Sequence, residues 1–190
     1  MTVFRDLSQH ILDIAENSVT ANATLVHIDI DENPVDDRLT IAVRDNGRGM
    51  DADMLRRIAD PWVTTRTTRK VGLGIPFLKQ TAEMCGGSFA IASALGQGTT
   101  TQAAFQLGHI DRPPLGDLIG TLLCVIVGNP QVDLVYRHRV ADREFALDTR
   151  EFREILGPEV PLSDPEILAF VRNTITEGLT SIGSEASPGA

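Results

Sequence analysis

Apolar and polar positions recur along this chain with two different periods, and the periods divide it into helices and strands. From Leu7 to Val19 the spacing is helical: Leu7, Ile11, Ile14, Ala15 and Ser18 fall on one stripe, the pattern of a helix laid on a core. Leu25 to Ile30 switches to period two, with Val26, Ile28 and Ile30 on one face, which predicts a half-buried strand. Asp31 to Arg38 is polar and contains Pro34, a hairpin-like connection. Leu39 to Arg44 alternates again, and Asp45 continues the face of Leu39, Ile41 and Val43. Asp51 is placed to cap a short helix through Ile58. Residues 60–71 follow no period. Pro76 opens a helix with Phe77, Leu78, Thr81, Ala82 and Cys85 on its apolar side, stopped by Gly86-Gly87. Ser88 to Ser93 and Thr99 to Leu107 read as a strand pair joined by residues 94–98, with Thr99, Thr101, Ala103 and Phe105 on one face.

The last third changes character. Gly108 to Pro114 reads as a linker. Asp117 caps a very apolar helix through Val127, and Gly128-Asn129-Pro130 stops it. Val132 to Val140 and Arg143 to Asp148 alternate like a hairpin around Ala141-Asp142. Thr149 is placed to cap a helix through Leu156. Ser163-x-x-Glu166 has the form of a capping box, with Pro165 in the first turn, for a final helix to about Leu179. Ser184 to Ala190 is expected to be a disordered tail. The pattern predicts a unit at 1–107, a linker at 108–114 and a small α/β subdomain at 115–183. That subdomain either forms its own core or docks on the first unit or on another subunit.

Composition narrows the classes. With 190 residues, 42% of them hydrophobic and 23% charged, the chain is globular and holds one domain, or one and a small second. A net charge of -9 argues against a nucleic-acid partner held by a basic surface. No apolar run is long enough to span a bilayer, and the N-terminus lacks the apolar stretch of a signal peptide. A cytoplasmic location without membrane contact is expected. Cys85 and Cys124 have neither metal nor redox spacing and are expected as buried free thiols. His109 and His138 fit structural or exposed positions.

Chemistry concentrates in four places. Asp45-Asn46-Gly47-Arg48-Gly49-Met50 puts a carboxylate at the inner end of a strand, where burial is costly without a partner. Its glycines then allow a tight turn and close approach to a ligand. On the first helix Asp13 and Asn17 are four apart, so they share a face. A carboxylate and an amide oxygen there can orient water and hold a hard cation such as Mg2+. Glu16 is near enough to share that site, and His10 lies one turn earlier. Residues 60–71 end in Arg66, Arg69 and Lys70, a basic cluster suited to an anion. Directly after them Gly72-Leu73-Gly74 leads into a helix N-terminus, whose free N–H groups favour phosphate. This is neither the dinucleotide fingerprint, since the third glycine is missing, nor a P-loop, since no Gly-Lys-Ser/Thr is present.

Taken together, Asp13…Glu16-Asn17, Asp45-x-Gly47-x-Gly49, Gly72-x-Gly74 and Gly96-x-Gly98-Thr99 stand in an order that resembles the GHKL ATPase superfamily of gyrase, the large heat-shock chaperone, histidine kinases and MutL. The pieces look like its N, G1, G2 and G3 boxes and cover residues 5–107. Pro61-Trp62-Val63-Thr64-Thr65-Arg66 is similar to the approach to the lid of sensor kinases. The resemblance implies an α+β fold: a two-layer α/β sandwich of the Bergerat type, with a mixed, mostly antiparallel sheet and ATP held under a lid. It implies Asn17 on Mg2+, Asp45 on the adenine amino group, Gly47 and Gly49 lining the base, and Thr99 acting through water. It also implies backbone N–H groups of Gly72, Leu73 and Gly74 on the phosphates, with Arg66, Arg69 or Lys70 at the γ-phosphate. Hydrolysing members place a Glu where this chain has Asp13, so Asp13 is the first candidate base and Glu16 the second. The first helix begins almost at the start of the chain, leaving no room for a phosphoacceptor hairpin, so any acceptor is expected on a partner protein. The expectation is a bacterial Mg-ATP-binding protein that hydrolyses ATP slowly or phosphorylates a partner, with a homo-oligomer open to it. An anti-sigma-like binding module with ATP as its switch is the other reading.

Overall fold

The computed structural model describes residues 5–59, 74–157 and 159–187. Helix α1 (Leu7–Thr20) is followed by strands β1 (Leu25–Asn33) and β2 (Arg38–Asp45), then by helices α2 (Ala52–Ala59) and α3 (Gly74–Met84). Strands β3 (Ser88–Ala94) and β4 (Gly98–Gln106) lead to helix α4 (Leu118–Gly128). A hairpin of β5 (Asp133–Val140) and β6 (Arg143–Asp148) precedes α5 (Thr149–Leu156) and α6 (Pro165–Ile182). The strands form one six-stranded sheet in the order β3-β4-β2-β1-β5-β6. Each neighbouring pair is antiparallel except β1 and β5, which run parallel. This is the mixed, mostly antiparallel α+β architecture that the resemblance implied.

Alternation decides which sheet face is covered. Val26, Ile28, Ile30, Leu39, Ile41, Val43, Leu134 and Tyr136 are buried. The opposite face carries Asp29, Asp31, Arg44 and Arg139, paired across strands as Arg44–Asp29 at 2.9 Å and Arg139–Asp31 at 2.7 Å. Such pairs between exposed side chains contribute little; their main effect is to keep that face wet. On the covered face α1 lies against α3 and α4, and α4 against α6. The helix starts are capped by aspartates: Asp6 accepts from the Gln9 N–H at 3.1 Å and Asp117 from the Gly120 N–H at 2.8 Å. Asp51 accepts from the Met54 N–H at 2.8 Å, as expected of a cap. Among the described residues, no helix is long and apolar enough to cross a membrane.

Several local expectations need correction. β1 continues through Asp31 and Glu32 to Asn33, so the connection to β2 is only residues 34–37. The cap of α5 is Asp148, not Thr149; the Thr149 hydroxyl instead accepts from the Leu134 N–H at 2.8 Å. The cap of α6 is Asp164, one residue after Ser163, and the helix runs past Leu179 to Ile182, where Gly183 takes the left-handed conformation. Cys85 is buried, but Cys124 is exposed, because the very apolar α4 leaves one side uncovered.

The C-terminal third joins the same sheet. β5 pairs with β1 from Leu25–Asp133 to Glu32–Val140, and one apolar core runs from Leu7 to Ile182. Of the arrangements open to this segment, it takes the docked one. Pro114 and Leu115 carbonyls accept the Leu7 and Ser8 N–H groups at 2.9 Å each, which ties the residues before α4 to the start of α1. At the far end of β1 a polar cluster closes the join. The Tyr136 hydroxyl meets His138 Nδ1 at 2.6 Å, and His138 Nε2 meets Glu32 Oε1 at 2.7 Å. Ser184 Oγ donates to the same Glu32 oxygen at 2.6 Å. Next to it, Glu185 takes a bidentate pair from Arg112 at 2.9 and 2.8 Å. Ser184 and Glu185, expected in a disordered tail, are thus pinned, and Ser184 is 2% exposed.

Candidate functional site

The strand register assembles the first half of the site. Ser93 on β3 lies opposite Thr99 on β4, Thr99 opposite Asp45 on β2, and Asp45 opposite Val26 on β1. Two residues further along each strand the same face carries Ile91, Thr101, Val43 and Ile28. A polar row therefore sits at the end of an otherwise largely apolar floor, on the face covered by the helices. Asp45 Oδ1 accepts from the Gly47 N–H at 2.8 Å, and Oδ2 accepts from Ser18 Oγ at 3.0 Å. Two donors hold the carboxylate in one orientation at half burial, the partner that a strand-end carboxylate requires. Ser93 Oγ donates to the Gly98 carbonyl at 2.8 Å, accepts from the Met50 N–H at 2.9 Å, and lies 3.0 Å from Thr99 Oγ1.

Two loops are zipped together above this row. The Gly96 N–H donates to the Arg48 carbonyl and the Arg48 N–H to the Ala21 carbonyl, both at 2.8 Å. Asn46 Oδ1 accepts from the Thr24 and Leu25 N–H groups at 2.9 and 3.0 Å. The backbones approach so closely that a Cβ on Gly49 (φ 65°) falls 1.9 Å from the Ala94 carbonyl oxygen. A Cβ on Gly98 falls 1.9 Å from the Asp45 carbonyl oxygen. These glycines are fixed by close backbone packing as well as by a turn.

The second half of the site is where α1 meets the start of α3. The Asp13 carboxylate lies against Gly74, where an added Cβ would be 1.9 Å from Oδ2. Asn17 Nδ2 donates to Asp13 Oδ2 at 3.3 Å, and among the described residues no protein donor takes the Asn17 amide oxygen. Burial raises the Asp13 pKa above its ordinary value, and the Asn17 hydrogen bond only partly offsets this. His10, one turn earlier, is buried against the same place. Burial lowers its pKa to about 4, against a backbone hydrogen bond with Gly74 and the nearby Asp6 charge, which act upward. His10 is therefore neutral at neutral pH.

Of the residues singled out in the sequence, Asp45, Gly47, Gly49 and Thr99 meet in the first cluster, and Asp13, Asn17 and Gly74 in the second. Glu16 is exposed and joins neither. Arg66, Arg69, Lys70, Gly72 and Leu73 lie outside the described residues. α1 carries both clusters: Ser18 reaches one and Asp13 the other, roughly 7.5 Å apart at a rise of about 1.5 Å per residue. Ser18 and Ser93 do not stand out in the sequence. Ser18 gives only the weak signal of a hydroxyl on an apolar stripe, and Ser93 that of a hydroxyl closing an alternating strand.

This arrangement offers chemistry at two points. The polar row presents oriented acceptors over an apolar floor, suited to a flat heterocycle with hydrogen-bond donors on its edge. The other cluster offers a half-buried carboxylate with a raised pKa, an amide oxygen and the first turn of a helix, suited to phosphate oxygens, a hard cation and an oriented water.

The chain is similar to known proteins. A family model for histidine kinase-, DNA gyrase B-, and HSP90-like ATPases matches residues 2–109. Sporulation kinase D of Bacillus subtilis (strain 168) is 33% identical over 93 residues, 49% of this chain and 18% of that protein. Sensor histidine kinase ZraS of Escherichia coli (strain K12) is 31% identical over 110 residues, 58% of this chain and 23% of that protein. The chain thus spans less than a quarter of the length of these relatives. The ADP-complexed MutL ATPase domain of Aquifex aeolicus is similar in fold, with a TM-score of 0.52 at 14% identity over 90% of this chain and 88% of that one. A share that large takes in much of the C-terminal third as well.

Proposed function

This chain belongs to the histidine kinase-, DNA gyrase B- and HSP90-like ATPases, and from that membership we propose that it binds Mg-ATP across the two clusters and hydrolyses it slowly. The observation that carries this reading is the half-buried Asp45 carboxylate, held by Ser18 and Gly47 in a row with Thr99. Asp45 accepts from the adenine amino group while the apolar floor packs on the base. Gly47 and Gly49 keep the loop backbone close, and Thr99 completes the row beside Asp45. The N–H groups at the start of α3 meet the phosphates, with Gly72 and Leu73 before it, and Arg66 or Lys70 serves the γ-phosphate.

The residues present fit Mg2+ as a cation shared with phosphate. Asn17 offers one amide oxygen, and among the described residues no cluster of three His, Cys, Asp or Glu side chains can hold a metal without the nucleotide. Bound there, the cation would neutralise phosphate charge. Asp13 is the general base: its raised pKa brings it nearer the range in which a carboxylate takes a proton from water. Its side chain is one methylene shorter than Glu, which keeps the rate low. Glu16 is second choice, because its side chain is exposed and joins neither cluster.

A second reading rests on the relatives, which are named as kinases: phosphoryl transfer to a partner protein, which needs positioning and charge neutralisation more than a base. Calorimetry with Mg-ATP on wild type and Asp45→Asn, with phosphate release followed in the same samples, tests both. Binding by wild type, lost in the variant, is expected. Release that depends on Asp13 supports hydrolysis, and absence of release supports transfer. No nucleotide binding by wild type would overturn the proposal.

A further inference from the structure

The polar row has a hydrogen inventory, and the inventory closes. A serine hydroxyl has one hydrogen to donate and two lone pairs. Ser93 spends its hydrogen on the Gly98 carbonyl at 2.8 Å, since a carbonyl can only accept. One lone pair of Ser93 takes the Met50 N–H at 2.9 Å. The remaining contact, 3.0 Å to Thr99 Oγ1, is then satisfied only if Thr99 donates. The Thr99 hydrogen is turned toward Ser93, away from Asp45, and its free lone pairs face the row. At the other end, the Ser18 hydrogen lies between Asp45 Oδ2 at 3.0 Å and the Ile14 carbonyl at 3.1 Å. The carboxylate of Asp45 is itself an acceptor. Ser93 is fully spent, and the oxygens with capacity left, those of Thr99 and Asp45, meet a ligand as acceptors.

From this we infer that Ser93 is a specificity-determining positioning residue: by holding the Thr99 hydroxyl as an acceptor, it makes the pocket select purines with a 6-amino group over purines with a 6-oxo group. The inference rests on the adenine nucleotide reading above and adds a residue and a cause to it. A 6-amino purine brings two N–H donors to the row. A 6-oxo purine brings one N–H, at N1, and at position 6 an acceptor, which meets only acceptors there and loses the hydrogen bonds that it had in water. Rejection by unpaired polar groups is stronger than rejection by shape.

Ser93→Ala removes the group that takes the Thr99 hydrogen. Thr99 is then free to rotate and donate to a 6-oxo group, while a 6-amino group still has Asp45. The test is calorimetric binding of Mg-ATP and Mg-ITP to the full chain, since the two nucleotides differ only at this edge. We expect the ITP-to-ATP ratio of dissociation constants to fall about tenfold in Ser93→Ala, the size of one hydrogen bond. Ser93→Thr, which keeps the hydroxyl, should hold the wild-type ratio. In a Thr99→Val background Ser93→Ala should leave the ratio unchanged, because the two residues act as one unit. If Ser93→Ala does not fold, Ser93→Cys, with a weak sulfur acceptor, should lower the ratio in the same direction. An unchanged ratio, equal weakening of both nucleotides, or a change that persists without the Thr99 hydroxyl would each overturn the inference while ATP binding still stands. If wild type binds neither nucleotide, the proposed function falls and this inference falls with it.

Discussion

Two polar clusters sit at opposite ends of β1, each built around a carboxylate and a serine hydroxyl, and they differ in what they leave unspent. At the end where β1 meets β5 and the tail, Glu32, His138, Tyr136 and Ser184 are 5%, 0%, 0% and 2% exposed, and their polar side-chain atoms all have partners. At the other end Asp45, Thr99 and Ser93 are half-buried, and Asp45 and Thr99 keep acceptor capacity. A closed network fastens segments together; an open one waits for a ligand. Burial and unspent hydrogen-bonding capacity separate the two.

The largest expected effect comes from opening the closed cluster. Glu32→Ala leaves His138, Ser184 and the Glu185 N–H without their acceptor, and should cost about 3 kcal/mol of stability. Urea unfolding would read this as a lower midpoint, with ATP affinity per folded molecule unchanged. Loss of ATP binding at full folding would mean that the two ends are coupled. Next, Asp45→Asn should weaken ATP about a hundredfold, since it removes a charged acceptor, while the unfolding midpoint moves far less.

Asp13→Asn should cut phosphate release by about a hundredfold, the lower part of the range for a general base, and should raise the melting temperature. The sign follows from the direction of the shift. A raised folded pKa means that the folded chain holds the proton more tightly, so Asp13 contributes stability at low pH and loses it as pH rises through the folded value. At neutral pH its half-buried carboxylate is a burden on stability. A fall in melting temperature would contradict this.

His10 and the Glu32 cluster should also separate by pH. His10 has its pKa lowered from 6.5 to about 4; its contribution is complete above 6.5 and is lost as pH falls toward 4. Burial pushes the Glu32 carboxyl up, but hydrogen bonds from His138 and Ser184 hold it below its ordinary value of 4.5. Its contribution is present above 4.5 and is lost as pH falls through the folded value. His10→Gln should remove the upper segment of acid destabilisation alone. The smallest effect is expected at Gly96, where an added Cβ meets nothing within 4 Å but φ is 74°. Gly96→Ala should cost about 1 kcal/mol of left-handed strain, whereas Gly49→Ala drives a Cβ into the Ala94 carbonyl and should unzip the loops.

Much of the site is legible in the sequence because its signals are local. The Asp45-x-Gly47-x-Gly49 turn, the Asp13/Asn17 face and Gly98-Thr99 are each readable within a few residues. Their order along the chain is enough to point to the family. Ser18 and Ser93 are not legible in the same way. A hydroxyl declares its role only through the atom opposite it, and those atoms lie 27 residues away for Ser18 and across a hairpin for Ser93.

The elements, the covered faces of the strands and the chemical types at the Asp45 end all follow from the residues in chain order, because hydrophobic period and turn chemistry act over short stretches. Folding in three dimensions settled the rest. It made the last third extend the same sheet through a parallel β1–β5 pairing, buried Ser184 on Glu32, exposed Cys124 and turned Thr99 toward Ser93. Each of these depends on which distant segment a residue meets. Period two describes a strand equally well whatever its neighbour, so the choice of neighbour lies with the packing of the whole core.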